Sequence, residues 1–540
     1  MALGRSIAIP ALLVAMALSA DVFAADFEIS GDVAAQGYEV VSPWGDRVLG
    51  RRRLGVWLGL AAYSLQGEYE PFEADYSVQM RMRLDYDFGI EGAERSFDEG
   101  DPTRFAPGLH YPPVDLMYGW VEGRNIGDGW FGFRVGRQYL TDVLGWWSFD
   151  GGLARITTPW FFQAEIYGGL EQRGGLVLST SRFEAQGVWR GSHQGIRANA
   201  TDYPSYQFTS EAPAFGFAVE TQGVSWIHGR FDYRRVYNMG PAFTSQFPAP
   251  EGGGFEKVEG LRISSERLGW AGTAFLAEYG ALRGGFAYDL YNQLLSKAFG
   301  GLEFYPIQEK LVVGADVEFF VPTFDADSIW NWFTHNPVID ALARVATRPV
   351  NGLDVSLSGG ARLWMADGDP ADWAERECAA ISNTPAGLAD FLRFGTDPSL
   401  GADEAFGRAE ANRETTFAPD ALGNLGVGYG WPSGRIGLNG MLQMGVGDEA
   451  QNRGRRVGGT LSAQQALYAD QVWLGGNVST YNWEDPLRPD RDATSFGYVI
   501  APEYRPLDEA RFRVEWEHNM NRLVGQRFRL VGLVSVKVAP

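Results

Sequence analysis

The segment 75–88 alternates strictly between apolar and polar side chains. Its apolar positions run from Tyr76 to Phe88, and its polar positions run from Asp75 to Asp87. Because successive side chains of a β-strand point to opposite faces, this strand has one apolar face and one charged face. Soluble sandwiches also contain alternating strands, but aromatic residues end this apolar stripe on both sides, as at the two interfaces of a membrane. The segment predicts a strand between lipid and water.

The same alternation recurs along most of the chain. Candidate strands are 27–38, 53–65, 75–88, 114–124, 130–140, 152–157, 160–170, 213–221, 224–237, 256–268, 281–291, 295–305, 309–321, 352–366, 421–431, 434–446, 454–467, 469–483, 493–503, 507–519 and 526–538. We predict an all-β fold: an antiparallel transmembrane β-barrel of about 18 strands (roughly 16 to 20) with long extracellular loops. Some candidate segments are then hairpins within those loops. Such a barrel encloses a water-filled lumen.

The composition excludes several other classes of protein. Mean hydropathy is only −0.19 and no long apolar stretch follows the N-terminus, which argues against a bundle of membrane helices. A net charge of −21 argues against a nucleic-acid partner. The single cysteine, Cys378, cannot form an intrachain disulfide, and the five histidines lack metal-ligand spacing. We expect no metal, no cofactor and no enzymatic activity, since a Gly-x-Ser-x-Gly nucleophile motif is also absent.

The N-terminus resembles a secretory signal peptide. Arg5 precedes a short apolar run at 7–18, and Val22 and Ala24 place small residues before a cleavage site. The sequence therefore predicts a signal peptide at 1–24 and an outer-membrane barrel at 25–540, in the bacterial outer membrane.

Two kinds of connection separate the candidate strands. The predicted short periplasmic turns are 125–129, 221–223, 432–434 and 485–486. The predicted long extracellular connections are 89–113, 171–212, 323–351 and 367–420. Within the third of these, residues 327–346 have apolar positions close to helical spacing, which predicts a short helix at one mouth or on the surface.

Polar residues on the inward parity are the candidates for lining the pore. The predicted pore-lining residues are Arg81, Arg83, Arg134, Gln138, Arg511, Arg513, Arg527 and Arg529. Fixed guanidinium groups in a pore would attract anions.

Each candidate arginine also has a purely structural interpretation. Asp85 and Asp87 share a face with Arg81 and Arg83, so these four residues could form a ladder of ion pairs instead. The pattern at 511–517 favours the ladder. Arg527 and Arg529 could pair with Glu28 and Asp32 of the first strand. Arg137 lies on the apolar parity, so either a bulge at Gly136 redirects it or it snorkels at the membrane edge.

Three short motifs carry a resemblance to a known family. Segment 130–138 ends in Gly-Arg-Gln, segment 146–151 reads Trp-Trp-Ser-Phe-Asp-Gly, and segment 324–331 reads Phe-Asp-Ala-Asp-Ser-Ile-Trp-Asn. Together they resemble the alginate-export family of outer-membrane barrels. The resemblance implies a monomer of 18 strands that passes an anionic polysaccharide through an arginine-lined constriction. The sequence leaves open whether periplasmic export or synthesis proteins are partners of the pore. Two features depart from it: the chain ends in Pro540 rather than an aromatic residue, and the 367–420 loop is long and acidic.

The sequence favours two functions over an enzyme with a Ser-His pair at the outer rim and over a purely structural or adhesive barrel. The first is export of a secreted, anionic polysaccharide, which rests on the resemblance and on the inward arginines. The alternative is a porin for diffusion of small anionic or sugar solutes, which uses the same barrel. The partners expected in either case are outer-membrane lipid and the translocated polysaccharide or solute.

Overall fold

The computed structural model describes residues 26–67, 73–90, 114–172, 212–239, 242–248, 255–258, 260–308, 310–323, 337–367, 415–446, 455–468, 470–483, 494–521 and 525–539. The predicted signal peptide, the 324–331 motif, the 485–486 turn and most of the 367–420 loop lie outside these residues. Among the described residues, no helix is long and apolar enough to cross a membrane.

Most of the described residues form β-strands. The strands are β1 (Asp26–Val41), β2 (Arg47–Tyr63), β3 (Asp75–Ile90), β4 (Val114–Ile126), β5 (Phe131–Asp142), β6 (Gly145–Thr157), β7 (Phe162–Glu171), β8 (Pro213–Thr221), β9 (Ile227–Asn238), β10 (Ala242–Pro248), β11 (Phe255–Val258), β12 (Arg262–Phe275), β13 (Gly280–Asp289), β14 (Leu294–Ile307), β15 (Leu311–Phe320), β16 (Val338–Val350), β17 (Leu353–Asp367), β18 (Thr415–Trp431), β19 (Gly434–Gly445), β20 (Arg455–Tyr468), β21 (Val472–Trp483), β22 (Ser495–Leu507), β23 (Ala510–Asn521) and β24 (Gly525–Val538).

Twenty-two of these strands pair into one closed antiparallel sheet. Each strand pairs with its neighbours in the chain, except that β9 pairs with β12, because β10 and β11 form a separate hairpin between them. The sheet closes where β1 pairs with β24, from Ile29 opposite Val538 to Val41 opposite Gln526. A closed sheet pairs every strand on both edges, which is the condition for a sheet to span hydrocarbon.

The two faces of the wall differ in chemistry. On β17, Leu357 points away from the lumen and lies opposite Val345 and Leu425, which are also exposed apolar residues. Ser356 has the other parity and lines a lumen concavity. The exposed apolar face is the lipid-contacting surface of a transmembrane barrel.

The two mouths of the barrel differ in the length of their connections. The longest connections, 91–113, 172–212, 239–261, 321–337 and 368–414, all join strands at the same mouth. The other mouth carries both ends of the sheet and short turns such as 127–130 and 432–433. Outer-membrane barrels place short turns in the periplasm and long loops outside. We therefore assign the mouth with the long connections to the cell exterior.

The predicted number of about 18 strands is wrong, since the barrel has 22. The error came from discounting candidate segments as loop hairpins. Every one of those segments overlaps a wall strand that pairs on both edges. The all-β, antiparallel barrel itself is confirmed.

Besides β10 of the separate hairpin, the sequence analysis missed one wall strand, β16. It lies inside the predicted long connection 323–351 and includes the second half of the predicted helix at 327–346; residues 327–336 lie outside the described part. Residues 338–347 pair continuously with β15 on one side and β17 on the other, so they are strand. The helical spacing arose because Leu342 is an apolar residue on the lumen parity, next to the lipid-facing Ile339 and Val345.

The assignment of faces predicts opposite outcomes for two adjacent residues. Leu357→Arg places a charge against lipid and should destabilise the barrel by about 2 to 4 kcal/mol. Ser356→Arg places the same charge in the lumen and should change stability little. Equilibrium urea unfolding in phospholipid vesicles measures both. Equal destabilisation by the two variants would contradict the assignment.

Candidate functional site

A ladder of charged residues runs along the lumen face of β22, β23 and β24. We call it the lumen stripe, and its members are Glu503, Arg505, Arg511, Arg513, Glu515, Glu517, Arg527 and Arg529. Glu503 accepts hydrogen bonds from Arg505 at 2.5 Å and Arg511 at 2.6 Å. Alternate residues of adjacent strands share a face, and this brings the predicted arginines of β23 and β24 together.

Further bonds join the upper part of the stripe. Glu515 accepts from Arg513 at 2.9 Å and Arg529 at 3.1 Å. Glu517 pairs with Arg529 at 2.5 Å and also bonds Arg527. The ladder expected for Arg511 and Arg513 is therefore present in the structure, and it extends to Arg527 and Arg529.

The glutamates of the stripe lie beneath the arginines. The side chains of Glu503, Glu515 and Glu517 are 4%, 17% and 9% exposed, whereas the five arginines are between 32% and 53% exposed. Five cations minus three anions leaves a net charge of +2 on the stripe. The carboxylates orient the guanidinium groups, which are the more exposed part of the stripe. That these arginines line a permeation path remains a prediction.

Arg81 lies beside the stripe on β3. Its guanidinium donates to Asp32 of β1 at 2.6 Å, and Asp32 also accepts from the Ser535 hydroxyl at 2.6 Å. A concavity of about 370 Å³ joins Arg81 to Arg511 and Arg513 of the stripe. Arg81 therefore extends the basic surface across the β24–β1 closure.

The second β3 candidate, Arg83, is buried at 6% exposure and has interaction partners. The side chains of Asp85 and Asp87 lie outside the described residues, so the proposed β3 ladder stays a prediction.

Arg134 and Gln138 of β5 lie in a more tightly packed part of the lumen. Arg134 donates to Glu122 at 2.8 Å and stacks over Trp120 at 4.8 Å. Gln138 is fully buried, and its amide donates to the Gly151 carbonyl at 3.0 Å. Gln138 thus holds β5 to β6. A direct role of either residue in lining the pore remains a prediction.

Arg137 takes a bidentate partner at the end of β5. It donates to both carboxylate oxygens of Asp150, at 2.7 and 2.8 Å, and to the Leu116 carbonyl at 2.8 Å. Gly136 beside it has a φ of +134°, and a Cβ there would collide with the backbone of β4. Only glycine allows this close approach.

The β5–β6 hairpin folds into the lumen, which the sequence analysis did not foresee. Its tip, Val143 and Leu144, lies against Gly269 of β12, whose absent Cβ would sit 2.6 Å from Val143 Cγ1 and 2.9 Å from Leu144 Cδ2. Gly269 pairs with Asp232 of β9, so both have the lumen parity. The tip therefore reaches across β7, β8 and β9 on the inside of the wall.

The folded hairpin explains why one side of the lumen is dry. Under it lie Tyr167, Ala218 and Asp232, each at most 2% exposed. Asp142 in the hairpin faces Arg234 of β9 at 3.6 Å, and Arg234 stacks over Trp147 at 5.0 Å. The available sequence signal was an apolar Val-Leu pair between Asp142 and Gly145, where an exterior turn would ordinarily be polar.

The opposite side of the lumen, over β15 to β22, is open. It has a concavity of about 550 Å³ that polar, charged and small apolar residues line, and we call it the open wall. Its characteristic residues are Lys310, Ser356, Arg435, Asn439, Ser462 and Asn477. Within the described residues, Lys310 and Arg435 make no ion pair. The sequence analysis missed both, although Arg435 shares the parity of the polar residue Asn439.

Comparisons with known proteins show only distant similarity. No family model matches the chain and no curated protein matches it. Among solved structures, OccD3 (OpdP) of Pseudomonas aeruginosa shares 9% identity and a TM-score of 0.38, over 95% of this chain and 91% of that one. OpdK of the same organism, crystallised with vanillate, shares 9% identity and a TM-score of 0.39, over 96% and 99%. OccAB1 of Acinetobacter baumannii shares 7% identity and a TM-score of 0.38, over 95% and 96%.

The location of the chain follows from its own wall. Closed antiparallel barrels with a lipid-facing apolar exterior and a polar interior are typical of the bacterial outer membrane. The chain lies in the bacterial outer membrane.

The resemblance to the alginate-export family is wrong. It implies about 18 strands, whereas the wall has 22. Two of its motifs lie in or next to β5 and β6, which pair with each other and whose shared hairpin folds into the lumen, and the third lies outside the described residues.

The docked hairpin predicts a specific change in accessibility. In a Cys378→Ser background, Leu144→Cys should react slowly with a maleimide, because the tip packs on β12. Adding Gly269→Leu overfills that contact, at a cost of about 1 to 3 kcal/mol, and should speed labelling about tenfold. Gly300→Leu is the matched control, since a Cβ at Gly300 meets nothing within 4 Å. Unchanged labelling in the Gly269 variant would show that the hairpin does not dock there.

Proposed function

We propose that this barrel is a passive channel through which small solutes, above all small anions, diffuse across the outer membrane. The observation that carries the proposal is the exposed guanidinium layer of the lumen stripe, with its glutamates buried beneath. A positive wall raises the local concentration of anions and lowers their barrier to entry.

The width of the barrel supports diffusion of a solute. With neighbouring strands about 4.8 Å apart and tilted by about 40°, a wall of this strand number has a backbone diameter of about 40 Å. Elements inside the lumen must narrow it, and the β5–β6 hairpin covers the wall from β7 to β9. The permeation path in this proposal therefore follows the open wall and the lumen stripe.

Export of a polysaccharide rested mainly on the family resemblance and loses that support. No periplasmic partner is needed for the proposed diffusion. One chain closes the barrel through β1 and β24, so the lumen is also complete without a second copy. We retain the expectation of a monomer without enzymatic activity.

The proposal predicts that specific cations set the ion selectivity. Lys310 and Arg435 have no ion-pair partner among the described residues. Arg511 shares its glutamate with Arg505, and Arg527 shares its glutamate with Arg529. Each glutamate therefore keeps an arginine partner when Arg511 and Arg527 are replaced. Changing these four cations to Gln removes positive charge without stranding a buried carboxylate.

The measurement is the reversal potential of the channel in planar bilayers under a KCl gradient. The wild type should prefer chloride, and the fourfold variant should lose at least half of that preference with its conductance largely retained. Asn439→Gln, on the same wall without a charge change, should behave as wild type. A wild-type barrel that forms no conducting pore, or a variant with unchanged selectivity, would refute the proposal.

A further inference from the structure

A groove opens on the outer face of the barrel near the exterior mouth. Its volume is about 340 Å³, and its main lining residues are Gly37, Arg47, Gly50, Arg52, Trp516 and Phe528. A Cβ at Gly37 would meet nothing within 4 Å, so the floor of the groove is open. Gly37 lies opposite Arg52 on β2 and opposite Leu530 on β24, and Leu530 is an exposed apolar residue.

The groove lies at the level of the lipid headgroups. Along β2, the residues of outward parity below Arg52 are Leu54, Val56, Leu58, Leu60 and Ala62. At a tilt of about 40°, these positions span roughly 20 Å along the membrane normal, close to the ~25 Å apolar band of such barrels. Arg52 is the next outward residue toward the exterior, so it lies where the outer leaflet presents its polar groups.

The groove carries excess positive charge. Arg52 is exposed and has no ion-pair partner among the described residues. The Arg47 guanidinium lies across Gly50, where a Cβ would sit 2.8 Å from its Nη2, and it reaches Glu39 at 3.5 Å. The charged side chains of outward parity that line the groove are thus two arginines and one glutamate.

Another arginine on the outward face, Arg235, differs from Arg52 in its ion pairing. Arg235 of β9 pairs with Glu266 at 2.5 Å, and the Tyr233 hydroxyl donates to the same carboxylate at 2.7 Å. That arginine is fully neutralised by its own neighbours. Arg52, in contrast, is left available beside an apolar floor and an aromatic wall.

We infer that the groove binds a phosphorylated lipid of the outer leaflet. The phosphate contacts Arg52 and Arg47, and an acyl chain lies over Gly37 against Trp516 and Leu530. Arginine forks match phosphate oxygens, and basic clusters at the headgroup level recognise anionic lipids. The glycine floor provides the depth that an acyl chain needs. This binding is independent of the proposed diffusion through the lumen.

The test is native mass spectrometry of the full mature barrel in detergent, titrated with bis-phosphorylated lipid A. The wild type should retain one lipid. Arg52→Gln should weaken its retention about five- to tenfold, while Arg52→Lys stays within about threefold. Gly37→Leu should abolish lipid retention, because the leucine side chain fills the floor of the groove. Gly37→Ala should reduce lipid retention less than Gly37→Leu.

The controls separate this site from general lipid contact. Gly300→Leu makes the same change elsewhere on the lipid-facing surface and should bind as wild type. Dephosphorylated lipid A should bind weakly, and inorganic phosphate alone should not compete. Heat-modifiable migration on gels verifies that each variant is folded. Wild-type binding by both Arg52→Gln and Gly37→Leu, or full competition by inorganic phosphate, would overturn the inference.

Discussion

The structure depends on one constraint: no backbone amide or carbonyl can be left unpaired in hydrocarbon. The pairing of β1 with β24 satisfies it by removing the last two free edges of the sheet. Once the sheet is closed, each side chain of the wall points either toward lipid or into the lumen. The alternation of the strands then separates an apolar surface from a charged one, and both the lumen stripe and the outer groove follow from that separation.

The architecture could be predicted from the sequence because the wall has a local signal. A single strand such as β3 shows its two environments in its own residues, so the barrel and nearly all of its strands were visible. The strand number was not, because whether a candidate segment joins the wall depends on its partners and not on its own residues. β16 shows the limit most clearly: Leu342 on the lumen side broke the alternation, and pairing with β15 and β17 overrode the helical spacing.

The sequence could predict on which face of the wall the charged residues lie, but not how deeply each side chain is buried. Sequence placed Arg511, Arg513, Arg527 and Arg529 on the inner face, yet it could not show that their glutamate partners are buried beneath them. That depth arises because glutamates of β22 and β23 sit between arginines contributed by three strands. The inward fold of the β5–β6 hairpin was equally hidden, since it requires Gly269, distant in sequence, to leave room for Leu144.

The diameter of the barrel limits the distance over which the arginines of the lumen stripe can attract an ion. At physiological ionic strength an exposed charge is screened over about 8 Å, much less than a backbone diameter of about 40 Å. An ion travelling near the axis would scarcely sense the wall, whereas one confined beside it would sense it throughout. The hairpin on the far side therefore affects electrostatics as well as the width of the lumen. Because it confines ions near the arginines, the selectivity of the channel for anions should increase as the salt concentration falls.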